Sequence, residues 1–291
     1  MKRGRRAEFW ITGPSFGWLL LWFGLPTLAV FLVSFRPADP FGGIGAGWTW
    51  ATWRSLSNPN YPAIIWRTVW LSVAATALCL LLALPAGYYV ARAPRRWRNR
   101  LMLLIVIPFW TNFLIRIFAW KVLLHPEGLL KQAGMALGLF TPETQLMYHA
   151  GAILLVLVYT YLPFALLPIY AAAERFDYAL LEAACDLGSS RLGAFYRVFL
   201  PGIRRGLTTA ALMVFIPALG SYVIPDLMGG ASSEMIGNKI AQRTFVDRNL
   251  PHASALSALL SLTVLIPMIL ILYHRVRGSA PPALRPTETA P

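Results

Sequence analysis

Charge is scarce in this chain of 291 residues, and acidic charge is scarcest. Asp, Glu, Lys and Arg make up 13% of it, against about 25% in an ordinary soluble domain. That deficit excludes one or two water-soluble domains. There are two cysteines, Cys79 in an apolar run and Cys185 in a polar one, so no disulfide framework or thiolate metal cluster is expected. The four histidines (125, 149, 252 and 274) stand singly, without metal-ligand spacing. No Gly-x-x-x-x-Gly-Lys-Ser/Thr phosphate loop occurs, and no Ser/His/Asp set can be assembled. The chain is therefore not expected to be an enzyme, to hydrolyse ATP by itself, or to hold a cofactor or metal.

What it does have is apolar length. Hydrophobic residues make up 57% of the chain, in windows of about 20 residues that match a hydrocarbon core about 30 Å thick. Six spans are expected, near 14–35, 63–91, 101–124, 148–173, 206–225 and 252–274. The fold class is then an all-α membrane protein.

The net charge of +14 raises the question of nucleic acid, and its distribution answers it. With the N-terminus inside, the inner segments hold 17 Lys and Arg, the outer segments 6, and the spans 3. That bias puts both termini in the cytoplasm by the positive-inside rule. Basicity is a topology signal here, contact with membrane lipid follows from it, and no nucleic-acid partner is needed. The first span, with Trp18 and Trp22, is too long for a cleaved signal peptide. Three parts are expected: 1–60, with the N-terminus, first span and an outer loop; 61–275, a core of five spans; and 276–291, a disordered cytoplasmic tail.

The stretch from Glu182 to Pro201 is a polar insert between spans four and five. Apolar residues at 180, 183, 184 and 187 share one helix face, with Glu182 and Asp186 on another. Ala183 and Ala184 keep the apolar face small, so a second surface can approach. Gly188 suits a left-handed helix stop, and Ser189 or Ser190 can cap the next helix. That helix would turn Leu192, Phe195 and Phe199 to its apolar side, and Pro201 would start the next span. The plain alternative is a solvated amphipathic loop.

Glu182-Ala183-Ala184, Gly188 and Val198-Phe199-Leu200-Pro201 resemble the "EAA" loop in permease subunits of bacterial ABC importers, with valine at 198 where isoleucine is usual. The resemblance implies a type I ABC importer permease fold. It also implies a coupling helix, with Glu182, Ala183, Ala184, Asp186, Gly188, Leu200 and Pro201 contacting a cytoplasmic ATPase. The implied partners are a second permease in a heterodimer, two ATP-binding cassette subunits that carry ATP and Mg, and a periplasmic binding protein. The implied location is the bacterial inner membrane.

In span three, Pro108, Phe109, Trp110, Leu114, Arg116, Ala119, Trp120, Leu123 and Leu124 are similar to permeases of spermidine/putrescine importers. So is the segment from Ile216 through Gly230, followed by Met235-Ile-Gly237. Two departures stand out: Ser221, where relatives carry an acidic residue, and Asn249-Leu250-Pro251, where Asp-Trp-Pro is commoner. A serine at 221 removes one attraction for an amine. Arg116, in mid-span on a straight helix, should face the bundle and find a partner. Arg67 can snorkel to the headgroups and is given no chemical role.

Trp110, Asn112, Tyr222 and Asp226 are the candidates for the translocation path. Aromatic faces and a carboxylate suit an alkylammonium through cation–π attraction and ion pairing. Packing between helices is the alternative for the aromatics, and helix capping or a pair with Arg116 for Asp226. The expected function is import of a small polar solute, a polyamine such as spermidine or putrescine, by alternating access. The alternatives are an ABC importer for another solute and an ion-gradient-driven secondary transporter. The latter calls for buried acidic relays, which the spans almost entirely lack.

Overall fold

The computed structural model describes residues 12–278. Expectations for the basic start and most of the tail lie outside that range. Among the described residues the chain is helical, and the single β-bridge, Ala38 to Ile44, lies outside any strand. They form two compact units. One comprises the residues up to Trp53 together with those from Asn249 onward, and the other is Arg54–Arg248.

In the first unit, α1 (Thr12–Val33) packs against α12 (Leu250–Gly278). Phe35 anchors the end of α1, with Trp50 edge-on at 4.9 Å and Trp53 stacked at 5.6 Å. The Trp53 indole donates to Ser34 Oγ at 3.3 Å.

The second unit is built on α2 (Asn60–Arg92), α6 (Ala150–Glu174) and α9 (Arg204–Leu219), which pack together. A stripe four residues apart (Leu71, Ala75, Cys79, Ala83) is buried on α2, and Ala210, Val214 and Ala218 are buried on α9. Small residues let backbones approach closely, which matters where lipid tails are as apolar as leucine. At Gly206 any side chain would begin 2.4 Å from Ala172 Cβ and 2.9 Å from the Pro168 carbonyl. The opposite surface is equally apolar but open, with Trp66 71% and Leu81 67% exposed. That is the pattern of helices facing lipid or another subunit.

Two expected spans are bent. Span three divides into α3 (Arg95–Val106), a 3₁₀ turn (Ile107–Trp110) and α4 (Phe113–Leu124), with an angle of 89° across the break. Pro108 opens the tight turn, Thr111 Oγ1 donates to the Pro108 carbonyl at 2.6 Å, and Asn112 caps α4. A straight-helix depth for Arg116 therefore does not apply. The chain then continues through α5 (Leu129–Ala136) to α6. Pro163 and Pro168 lie inside α6, which runs unbroken as one 25-residue helix. The second bend, 71°, separates Arg191–Gly202 from α9. Span five ends at Leu219, and α10 (Val223–Met228) and α11 (Ile236–Ala241) follow.

Candidate functional site

The segment after α6 folds locally as its residues dictate. α7 (Ala179–Asp186) begins after Asp177, whose carboxylate accepts from Ala179 N at 3.0 Å. It ends at Gly188 with φ of +89°, a left-handed stop that costs a residue with a Cβ about 1–2 kcal/mol. Ser190 then caps α8 (Arg191–Gly202), its hydroxyl accepting from Gly193 N at 3.1 Å. Leu200 and Pro201 lie in the last turn of α8, so the next helix starts at Arg204 rather than at the proline.

The apolar face of α7 does not turn inward. Glu182, Ala183 and Asp186 are exposed and Ala184 is half-buried, with Leu180 51% and Leu187 90% exposed. The expected apolar side of α8 is only partly buried: Phe199 is fully buried and Phe195 half-buried, while Leu192 is 72% exposed. Phe199 sits in an aromatic cluster with Tyr88 of α2 at 5.0 Å, Phe176 at 5.1 Å and Phe195 at 5.1 Å. The Arg92 guanidinium lies 5.4 Å from both the Tyr88 and Tyr178 rings and donates to Tyr88 Oη at 2.7 Å. Burial, then the neighbouring Tyr88, pushes the Tyr178 phenol up, so it stays protonated beside the arginine. The cluster fastens this insert to α2 and α6. Tyr88, Phe176 and Tyr178 were missed from sequence, and their only signal was aromatic spacing at two span ends.

At the far end of α6, Tyr222 and Asp226 come together in a groove of about 440 Å³. Glu234, Asn238, Gln242 and Phe245 complete its polar and aromatic wall. Asn238 organises it, donating to the Tyr222 carbonyl at 3.2 Å and to Asp226 Oδ1 at 3.4 Å. Two carboxylates line the groove, Asp226 and Glu234, and Glu234 is paired from behind with Lys239 at 3.6 Å. Trp110 and Asn112 are not part of it. Trp110 is 84% exposed at the bend of span three, and the Asn112 side chain accepts from Leu114 N at 2.8 Å as a helix cap. Arg116 has found Phe109, with its guanidinium 4.8 Å from the ring centre, and Asp226 is bonded to Asn238 instead. Ser221 is buried beside this groove, at 7% exposure.

Residues 83–278 match the family of binding-protein-dependent transport system inner membrane components. The chain belongs to that family. It is a transport permease subunit of an ABC importer and a multi-pass inner-membrane protein. The permease is 36% identical over 260 residues to the spermidine/putrescine transport system permease protein PotB of Haemophilus influenzae, covering 89% of this chain and 90% of that one. It is 35% identical over 259 residues to PotB of Escherichia coli, covering 89% and 94%. A bacterial ABC transporter for the acidic polysaccharide alginate shares the fold at a TM-score of 0.72 and 15% identity, over 96% of this chain and 100% of that one. A second alginate transporter structure, in complex with a pentasaccharide-bound periplasmic protein, matches at 0.67 and 15% identity, over 95% and 96%. The fold is that of a type I importer permease.

Proposed function

We propose that the permease imports a polyamine such as spermidine or putrescine, as one half of a heterodimeric pair driven by two ATPase subunits. The polyamine reading follows the PotB relatives and is supported by the groove at Tyr222 and Asp226, where Glu234 adds a second carboxylate. An alkylammonium there meets charge of opposite sign and aromatic faces. The coupling reading is supported by the exposed Leu180 and Ala183 of α7 and Leu187 at its C-terminal cap, an exposed apolar stripe beside Glu182 and Asp186. ATP and Mg act in the partner ATPases. Their closure would push α7, and the Phe199 cluster would carry that displacement into α2 and α6. A ligand then shifts the inward-open and outward-open populations only through unequal contacts in the two.

Both termini lie in the cytoplasm, by the positive-inside bias, and residues 61–275 form the permease core after an appended first span. Trp110 and Asn112 enter the path only if the bend of span three opens toward the pair's central axis. Uptake of labelled putrescine and spermidine by cells with and without this permease tests the reading. Uptake that depends on the permease and is competed by unlabelled polyamine supports it, and uptake indifferent to its deletion overturns it.

A further inference from the structure

Beside the acidic groove lies a cavity of about 400 Å³ with the opposite electrostatic character. Arg67 of α2, Lys239 of α11 and Arg243 line it together, against one lining carboxylate, Glu234. Their charges are incompletely offset. Arg67 donates to the Glu234 backbone carbonyl at 3.3 Å, not to a carboxylate. Lys239 Nζ lies 3.6 Å from Glu234 Oε2 and 2.9 Å from Gln242 Oε1. Arg243 donates to Asp247 at 2.8 Å and to Tyr61 Oη at 3.1 Å, and its Nε is buried without a partner.

Lys239 and Arg243 are thus each paired with a carboxylate, and Arg67 is the cation of the three whose charge no carboxylate offsets, so an entering anion is attracted there. A polyamine is the wrong sign for this space, so the cavity is not part of its path. Asn58, Asn60 and Tyr61 make most of the remaining wall polar, with only Ala63 and Ile64 apolar, which leaves no surface for acyl chains. Glu234 also lines the neighbouring groove, so whatever is held here stands next to the amine site.

We propose that this cavity receives a carboxylate side chain from the periplasmic binding protein and so seats that protein over the acidic groove. The inference rests on the importer reading and on residues 226–251 facing the periplasm. It gives Arg67 a role in partner recognition that snorkelling alone does not. A monoanionic carboxylate matches the one positive charge left in excess by the Lys239–Glu234 and Arg243–Asp247 pairs, and complementary charge mainly speeds and orients docking.

The test uses the complete importer in nanodiscs, with ATPase activity stimulated by binding protein loaded with putrescine or spermidine. Arg67→Gln combined with Lys239→Gln should raise the half-stimulating concentration of binding protein about ten-fold, leave the maximal rate in place and flatten its dependence on salt. Arg243 is left intact because its bonds to Tyr61 and Asp247 hold the wall. A half-stimulating concentration within two-fold of the unmodified complex overturns the proposal. So does a variant that differs only in its response to anionic lipid, which would make the cavity a headgroup site. Failure of the unmodified complex to respond to binding protein at all would overturn the importer reading itself, and this inference with it.

Discussion

The two polar regions at the ends of α6 are built on different principles. The insert at 182–201 leaves its apolar residues outside, with Leu187 90% exposed, and buries only the Phe199 anchor. The region from Tyr222 to Val246 ties its polar groups to each other, with Asn238 bridging Tyr222 and Asp226 and Arg243 bridging Tyr61 and Asp247. A contiguous exposed apolar patch is the usual mark of an interaction surface, which is what the proposed coupling role requires of the first region. The second is finished in itself and presents charge. Under the proposed function, the first end is the one an ATPase would grip and the second the one that would select the solute.

Substitutions can break this contrast or sharpen it. The largest effect is expected from Gly188→Pro, since proline is fixed near φ −65° and position 188 sits at +89°. Uptake should fall more than about 100-fold, in keeping with ~3 kcal/mol or more lost at the helix junction, while membrane insertion measured by fractionation persists. Next is Leu187→Asp, which alters no buried contact. Co-purification with the ATPase should drop about ten-fold, the equivalent of ~1.4 kcal/mol, with an unchanged melting temperature for the isolated permease. At the other end, Asp226→Asn should lower polyamine uptake about five- to ten-fold, with ATPase co-purification intact, because one charge-assisted contact of ~1–1.5 kcal/mol is removed. The smallest change is expected from Glu174→Gln, which breaks the half-exposed pair with Arg98 and leaves the Arg98 bond to the Ala91 carbonyl in place. Such surface pairs contribute about 0–1 kcal/mol, so thermal denaturation should barely shift.

How much of this was legible in the sequence follows the range of the interactions. The stop at Gly188 and the cap at Ser190 depend on residues within four positions and were readable directly. The break after Leu219 was signalled by Pro217, Gly220 and Pro225. The 89° bend in span three was not anticipated, although Pro108, Thr111 and the capping Asn112, which interrupt its apolar run, carried the signal. The acidic groove was half legible. Tyr222 and Asp226 are one helical turn apart, but Glu234 and Phe245 reach them only through the fold. Arg67 was unreadable as a wall of the basic cavity, since its bond to Glu234 spans 167 positions. Trp110 and Asn112 were grouped with Tyr222 by chemistry alone, and chemistry does not report which side of a bend a residue occupies.

Docking of α7 on an ATPase at the cytoplasmic face is open to cysteine chemistry at its exposed tip. In a Cys185→Ser background, Leu187→Cys labelled with a benzophenone maleimide should photo-crosslink to the ATPase subunit in membranes. Unlabelled, it should also resist a membrane-impermeant maleimide applied to intact spheroplasts. Labelling from outside, with no adduct to any nucleotide-binding subunit, would contradict the account.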